Sequence, residues 1–287
     1  MADLTTDFLG IKSPNPFWLA SAPPTDKEYN VRRAFDAGWG GVVWKTLGSE
    51  GPPVVNVNGP RYGVIRGADR RVLGLNNIEL ITDRPLEVNL EEITRVKKDY
   101  PNHAMIVSIM VPCEEQAWKD ILEKVEATGA DGIELNFGCP HGMSERGMGA
   151  AVGQVPEYIE MVTRWCKQYY SKPVIVKLTP NITDIRLPAA AARRGGADAV
   201  SSFITTTSVG SVNLLPLTHS LSLPPQPFSS LSSFTHPTQP PPCSPYRPWP
   251  SPSSPHLPFT TRLTSAFLSH KLLPHPTSPP TPYATVI

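Results

Sequence analysis

Over the first two hundred residues, short apolar runs alternate with longer amphipathic segments. Six runs have the length and continuity of buried strands, and they begin at residues 17, 41, 104, 132, 173 and 197 (FWLASA, GVVWK, AMIVSIMV, GIELN, PVIVKL and ADAVSSF). Between most of them lie segments with apolar residues at helical spacing, such as 27–38 and 114–129. This alternation predicts a parallel sheet with right-handed helical crossovers. A long polar loop is predicted from Thr46 to about Pro85.

Two architectures fit this order of elements, an open doubly wound sheet and a closed eight-fold barrel. Ser21, Lys45, Asn136 and Lys177 each lie at the carboxyl end of a different predicted strand. In a (β/α)8 barrel those ends form a single face on which polar groups converge. We therefore predict an α/β fold of the (β/α)8 barrel type, of which the first two hundred residues supply about five or six units.

The composition changes abruptly near residue 200. Asp198 is the last acidic residue, and only Arg247, Arg262 and Lys271 carry a positive charge after it, although the chain has 25 acidic and 26 basic residues in total. The segment 201–287 is rich in Pro, Ser and Thr and has too few periodic apolar positions to form a core. We predict a folded catalytic domain over 1–200. The tail over 201–287 is predicted to be disordered or mistranslated, from an intron or a shifted frame.

The remaining composition excludes several classes of protein. A net charge of +1 does not favour nucleic acid or an anionic membrane as a partner. The apolar runs are too short for a membrane span, and the N-terminus lacks the pattern of a signal peptide. The four cysteines are far apart, with no Cys-x-x-Cys pair. That spacing indicates a reduced, cytoplasmic protein without a metal or iron–sulfur site of its own.

The segment NFGCPHGMSERGMG places Cys139 among glycines directly after an apolar run. The bland interpretation of a single cysteine is a small buried residue. The glycine-rich setting, together with His141 and Arg146 nearby, favours a functional thiol instead, either a nucleophile or a proton donor. The glycines of this segment do not follow the G-x-G-x-x-G spacing, so they are interpreted as residues that shape the loop.

The charged and amide groups at the strand ends also suggest chemistry. Lys45 and Lys177 end two strands at the same predicted face, where a cation can stabilise negative charge, although a lysine at a strand end is usually a surface residue. Asn77 and Asn136 carry both donors and acceptors, which match the alternating edge of a pyrimidine. Asparagines near loops are more often turn residues, so the amides alone decide nothing.

Five segments resemble a known family closely: SPNPFWLASAPPT, RRAFDAGWGGVVWKT, LGLNNIELI, GADGIELNFGCPHGMSERGMGAAVGQ and PVIVKLTPNITDI. They are similar to the dihydropyrimidine dehydrogenases, with the flavin-bearing subunit of the bacterial NAD-dependent type as the nearest likeness. That family belongs with the dihydroorotate dehydrogenases and has an FMN-binding eight-fold barrel. The resemblance runs almost without gaps from the N-terminus to about Val200.

The resemblance implies a role for each matching residue. It implies FMN contacts at Ser21, Lys45, Thr46 and Lys177, contacts with the substrate at Asn77, Asn136 and Gly138, and a general acid at Cys139. The implied reaction saturates the 5,6 double bond of uracil or thymine, with hydride passing from reduced FMN to C6 and a proton from Cys139 to C5. The electrons are expected from NAD(P)H through a partner subunit or domain that carries FAD and iron–sulfur clusters. The intact family is expected to be oligomeric.

After Val200 the chain departs from the family, which continues into an Asn-Thr pair and glycine-rich loops that hold the FMN phosphate. We therefore expect residues 1–287 alone to bind FMN poorly and to have little activity. Three other functions remain open: a dihydroorotate dehydrogenase, a tRNA dihydrouridine synthase, whose loop has a similar Asn-x-Gly-Cys-Pro pattern, and a non-catalytic remnant that acts through its Pro-rich tail.

Overall fold

A computed structural model of the chain describes residues 2–49, 61–77, 79–139 and 147–202. The strands are β1 (Thr6–Phe8), β2 (Ile11–Ser13), β3 (Trp18–Leu19), β4 (Gly41–Leu47), β5 (Tyr62–Arg66), β6 (Val72–Asn77), β7 (Ala104–Ile109), β8 (Gly132–Asn136), β9 (Val174–Leu178) and β10 (Ala199–Ser202). The helices are α1 (Glu28–Asp36), α2 (Leu86–Asp99), α3 (Glu115–Ala127), α4 (Ala150–Gly153), α5 (Pro156–Tyr169) and α6 (Arg186–Arg194). The predicted tail from residue 203 onward lies outside the described residues, as do His141 and Arg146.

Six of the strands form one curled parallel sheet, the half-barrel. Their spatial order is β3-β4-β7-β8-β9-β10, which is also their order along the chain. Asn136 of β8 stands opposite Lys177 of β9, and Lys177 stands opposite Ser201 of β10, so the carboxyl ends of these strands lie at one edge. The prediction of a parallel sheet with helical crossovers is confirmed.

Three features differ from the prediction. Only Trp18 and Leu19 of the run at 17–22 pair as a strand. An N-terminal hairpin, β1–β2, precedes the half-barrel. The predicted loop between β4 and α2 contains a second hairpin, β5–β6, so that part of the prediction is wrong. Successive residues of a strand face opposite sides, and in this hairpin both faces carry exposed or half-buried residues, so no continuous apolar run marks it.

The apolar side chains divide between the two faces of the half-barrel. The larger group fills the layer between the sheet and the helices and includes Trp44, Val107, Leu135 and Val176. A smaller group lies on the opposite, concave face, towards the amino ends of the strands: Ile11, Trp18, Val43, Ala104, Ile106 and Ile175. Nearer the carboxyl ends, the concave face becomes polar. Residues two apart on a strand share a face, so Ser108 lies on the same face of β7 as Ile106. Glu134 stands opposite Ser108 on β8, and Asn136 lies on that face as well.

An ion pair between Arg84 and Glu92 holds the return of the chain from the second hairpin into α2. Nη2 of Arg84 donates to Oε1 of Glu92 at 2.5 Å, and Nη1 donates to Oε2 at 2.9 Å. The backbone N–H of Glu28 donates to Oε2 as well, at 2.9 Å. Burial by itself would raise the pKa of Glu92, but the hydrogen bonds from Arg84 and Glu28 outweigh it and lower that pKa below its ordinary value of 4.5.

We expect Glu92→Gln to reduce the free energy of unfolding by about 1–3 kcal/mol near neutral pH, because charge-assisted hydrogen bonds are lost. A carboxyl with a lowered folded pKa contributes stability above its unfolded pKa and loses it as the pH falls through the folded value. The difference between wild type and variant should therefore shrink as the pH falls below 4.5. Urea unfolding over this range measures it, and a difference that does not depend on pH would contradict the assignment.

Candidate functional site

A chain of hydrogen bonds joins the carboxyl ends of neighbouring strands. Thr46 is its centre. The Thr46 hydroxyl lies 3.1 Å from that of Ser21 and 2.9 Å from that of Ser108, and it accepts a hydrogen bond from Nδ2 of Asn136 at 2.9 Å. The backbone N–H of Thr46 also donates to Ser21 Oγ at 3.1 Å. Three of the residues singled out in the sequence, Ser21, Thr46 and Asn136, are thus in one buried network.

The Asn136 amide has a fixed orientation. Its Oδ1 accepts a hydrogen bond from the backbone N–H of Gly138 at 3.2 Å, and its Nδ2 donates to Thr46. An asparagine side chain has two donors and an acceptor oxygen with two lone pairs. Among the described residues, one donor and one lone pair of Asn136 therefore remain for a ligand. The hydrogen bonds to Gly138 and Thr46 fix the directions in which they point.

Lys177 is held by a buried acid on the neighbouring strand. Its Nζ donates to Oε1 of Glu134 at 2.7 Å, and the two side chains are 15% and 8% exposed. Glu134 also accepts hydrogen bonds from Ser108 at 3.2 Å and from Ser201 at 3.1 Å. Through Ser108 this ion pair is continuous with the network around Thr46.

Lys45 is held by a second buried acid. Its Nζ forms a short ion pair with Oε1 of Glu79, and the two side chains are 3% and 9% exposed. Arg61 Nη1 donates to the same oxygen at 3.2 Å. Among the described residues, Oε2 of Glu79 has no hydrogen-bond partner although it is buried. The backbone N–H of Glu79 donates to Oδ1 of Asn77 at 3.3 Å. Asn77 is therefore linked to Lys45 through Glu79 and not directly to the network around Thr46.

Cys139 follows β8 by three residues and is half-buried. It packs against a small apolar cluster of Ile81, Met110 and Met148. Its carbonyl oxygen accepts a hydrogen bond from the backbone N–H of Ala150, the first residue of α4, at 3.1 Å. The thiol-bearing residue is therefore fixed at its backbone on the same edge of the sheet as Asn136.

Gly149 allows this close approach. Its φ is +59°, and a Cβ at this position would lie 2.5 Å from the carbonyl oxygen of Cys139 and 2.9 Å from Sδ of Met110. Gly147 also has a positive φ, of +70°, but a Cβ there would meet no atom of the described residues within 4 Å. Substitutions at these two glycines can therefore distinguish the effect of backbone strain from that of steric contact.

We expect Gly149→Ala to displace Cys139 and to cost about 1–3 kcal/mol from overpacking, in addition to the backbone strain that a positive φ imposes on any residue other than glycine. Gly147→Ala is the control, because it introduces the strain without the contact. Urea unfolding gives the two free energies, and alkylation of Cys139, followed by peptide mass spectrometry, should be faster only in Gly149→Ala. Equal costs and equal alkylation rates would show that the contact with Cys139 has no effect.

Four polar residues of this face were not predicted from the sequence: Glu79, Ser108, Glu134 and Ser201. Ser108 and Glu134 lie inside the strongly apolar runs AMIVSIMV and GIELN, and the position of Glu134 two residues before Asn136 was the available signal. Within the described ranges, no group of three or more His, Cys, Asp or Glu side chains is placed to hold a metal ion. No helix in those ranges has the length and apolar character that crossing a membrane requires.

A parallel α/β half-barrel with polar groups gathered at the carboxyl ends of its strands is the architecture of the barrel enzymes. The family model described as dihydroorotate dehydrogenase matches residues 3–222. The chain therefore belongs to the dihydroorotate dehydrogenase family of oxidoreductases. The match extends beyond Val200, where the resemblance described above ends, as far as residue 222.

Relatives of two kinds match this chain. It is 43% identical over 220 residues to the chloroplastic NADP⁺ dihydropyrimidine dehydrogenase of Arabidopsis thaliana, which covers 75% of this chain and 51% of the relative. It is 41% identical over 212 residues to the NAD-dependent dihydropyrimidine dehydrogenase subunit PreA of Escherichia coli, covering 74% and 50%. The catalytic subunit of dihydroorotate dehydrogenase B from Pyrococcus abyssi is 37% identical over 212 residues, covering 72% and 64%. The chain spans about half the length of the first two relatives.

The fold has a counterpart among solved structures. The ligand-free dihydroorotate dehydrogenase of Eimeria tenella superimposes with a TM-score of 0.54 at 17% identity, covering 72% of this chain and 62% of that one. At this identity the likeness concerns the fold alone. It confirms the barrel-type fold class that the strand order and the polar strand ends predicted.

Proposed function

We propose that this chain carries the catalytic face of an FMN-dependent dihydropyrimidine dehydrogenase, which reduces the 5,6 double bond of uracil or thymine. The observation that carries the proposal is the placement of the Asn136 amide and Cys139 three residues apart, beyond one strand end, beside two lysines that are each paired with a buried glutamate. The higher identity to the two dihydropyrimidine dehydrogenases supports it.

The residues present fit a flavin ring. Hydroxyl, amide and ammonium groups from β4, β8 and β9 face one edge, and the buried Oε2 of Glu79 lacks a partner among the described residues. Such a set of donors and acceptors suits the polar edge of an isoalloxazine or a pyrimidine. We propose that Ser21, Lys45, Thr46 and Lys177 contact FMN, which when bound supplies the hydride. The residues expected to hold its phosphate lie outside the described ranges.

The amides orient the pyrimidine in this proposal. Asn136 presents its remaining donor and lone pair in a direction set by Gly138 and Thr46, and Asn77 offers a second amide from the hairpin. We propose that Gly138, whose backbone N–H holds the Asn136 amide, also contacts the substrate. Because the amides hold the ring in one plane, C5 and C6 of the pyrimidine are kept in the positions that the reaction requires.

Cys139 supplies the proton. Its thiol donates a proton to C5 of the pyrimidine while C6 receives hydride. The double bond is thus saturated by one hydride and one proton. The thiolate that remains is reprotonated from solvent, which a half-buried residue can contact. A positioned general acid contributes about 10²–10⁴-fold to the rate of such a step.

The charges on this face favour a neutral pyrimidine over orotate. Orotate carries a carboxylate and would be the pyrimidine of the alternative function, dihydroorotate dehydrogenase. Within the described part of the chain, the cations near the face are Lys45, Lys177 and Arg61. Each is paired with a carboxylate: Glu79 for Lys45 and Arg61, and Glu134 for Lys177. A substrate carboxylate would compete with these buried acids for the same cations, and a buried anion without its own cation is costly.

The wider proposal includes the source of electrons. We propose NAD(P)H as the reductant, acting through a partner subunit or domain with FAD and iron–sulfur clusters, in a cytoplasmic and oligomeric enzyme. The E. coli relative is named as a subunit, which supports a partner for this chain. Co-purification of a flavin-containing and iron-containing partner with the tagged chain from its source cells tests this part.

The function itself is tested by a single turnover under anaerobic conditions. A chimera in which residues 1–202 replace the aligned part of the E. coli subunit is loaded with FMN, reduced with dithionite and mixed with uracil or orotate, because the 287-residue chain alone is expected to bind FMN poorly. We expect uracil to reoxidise the flavin with formation of dihydrouracil, and orotate to react more slowly. Reoxidation by orotate but not by uracil would favour the dihydroorotate dehydrogenase function.

A further inference from the structure

Glu134 is a buried carboxylate for which the proposed chemistry has no direct use. It lies in the middle of β8, two residues before Asn136, and its side chain is 8% exposed. Oε1 accepts hydrogen bonds from Lys177 at 2.7 Å and from Ser108 at 3.2 Å, and Oε2 accepts one from Ser201 at 3.1 Å. Three other strands, β7, β9 and β10, therefore each contribute one donor to this single side chain.

Burying this acid is expensive. The penalty for taking a carboxylate out of water is several kcal/mol even after relaxation, and an ion pair with good geometry often only offsets it. An apolar residue would fill the same position in a strand as apolar as GIELN without that penalty. The retention of the acid at the centre of the polar face therefore points to a task other than stability.

The surroundings indicate what that task is. Glu134 stands one step below the layer that contains Asn136 and Lys177, and it reaches Thr46 through Ser108. The carboxylate fixes where the Lys177 ammonium lies and offsets its positive charge. A lysine held in this way presents a hydrogen-bond donor in a fixed position, and the ion pair as a whole has little net charge. Such a donor suits an oxidised, neutral flavin. It stabilises the reduced, anionic flavin less than an uncompensated cation would.

We propose that Glu134 is a positioning residue that holds Lys177 and, by compensating its charge, sets the relative affinity of this face for oxidised and reduced flavin. The inference rests on the proposed function in so far as the ligand is FMN. It assigns to Glu134 no contact with the reacting atoms. Glu134→Gln keeps the shape of the side chain and its acceptor oxygen but removes the negative charge, so it separates charge from packing.

The first experiment needs no flavin. The 287-residue chain is treated with an acetylating N-hydroxysuccinimide ester, and the modification of each lysine is followed by peptide mass spectrometry. We expect Glu134→Gln to acetylate several-fold faster at Lys177 and to leave Lys97 unchanged, because Lys97 is bonded to Asp131 at 2.7 Å at the other end of the sheet. Asp131→Asn is the matched control, which should release Lys97 but not Lys177. An unchanged rate at Lys177 in Glu134→Gln overturns the proposal.

The second experiment measures, by ultrafiltration, the affinity of the chimera of residues 1–202 with the E. coli subunit for oxidised FMN and for dithionite-reduced FMN. We expect the ratio of the two dissociation constants to shift about tenfold towards the reduced form in Glu134→Gln, a coupling of ordinary size. Glu134→Asp keeps the charge and should remain close to wild type, and it also serves if the Gln variant fails to fold. A purely structural role would weaken both affinities alike, and that result overturns the proposal.

The two experiments separate this inference from the proposed function. If the wild-type chimera binds neither form of FMN, the proposed function is contradicted, and with it the flavin part of the inference. The acetylation result does not depend on flavin and still decides whether Glu134 holds Lys177.

Discussion

Cys139→Ala is expected to reduce the rate of uracil reduction by about 10²–10⁴-fold while leaving the affinity for FMN unchanged, because the variant loses the proton donor and nothing that contacts the flavin. The comparison is made with flavin-loaded, prereduced protein, by following reoxidation of the flavin after uracil is added. The carbonyl of Cys139 that receives the hydrogen bond from Ala150 belongs to the backbone, so the substitution keeps that contact.

Cys166→Ala is the matched control for this prediction. Cys166 is fully buried in the layer between the sheet and the helices, and burial raises the pKa of its thiol well above the ordinary value. It should alter stability but not the rate of reduction. A Cys139→Ala variant that reduces uracil as fast as the Cys166→Ala variant would remove Cys139 from the role of acid.

Lys45→Met is expected to reduce the free energy of unfolding by about 3–5 kcal/mol, because it leaves the buried carboxylate of Glu79 without its nearest cation. Arg61, at 3.2 Å and partly exposed, remains as a second cation beside Glu79 and compensates only in part. The double variant Lys45→Met with Glu79→Leu should recover most of the loss, since replacing a buried ion pair by apolar side chains is often neutral. Urea unfolding of the three proteins measures the difference.

Arg164→Met provides the control for an exposed pair. Arg164 and Glu160 form an i,i+4 ion pair at 2.7 Å on α5, with Arg164 65% exposed. Exposed pairs of this kind contribute about 0–1 kcal/mol. If Lys45→Met costs no more than Arg164→Met, the pair of Lys45 and Glu79 is not the buried, desolvated contact described above.

The sequence predicts the parallel sheet well, because strands buried on both faces appear as continuous apolar runs, and GIELN coincides with β8. The hairpin β5–β6 could not be predicted in the same way. Residues of β5 are alternately exposed and half-buried, and hairpins of this kind are specified by their turn and by what covers them rather than by an apolar run.

The site was predictable only in part. The residues at strand ends, such as Asn136 and Lys177, can be found from sequence because the carboxyl ends of parallel strands share an edge. The role of Glu134 could not, because an acid inside an apolar run has no local partner. Its donors Ser108 and Lys177 are 26 and 43 residues away in the chain, and only the register of the sheet brings them together.

We propose further that hydride from FMN and the proton from Cys139 reach opposite faces of the pyrimidine. The direct measurement is reduction of thymine in D₂O by the flavin-loaded chimera, followed by determination by NMR of the relative configuration of deuterium at C5 and C6 in the product. We expect anti addition in the wild-type sequence, and loss of product in Cys139→Ala. Syn addition, or an unchanged yield in Cys139→Ala, would contradict it.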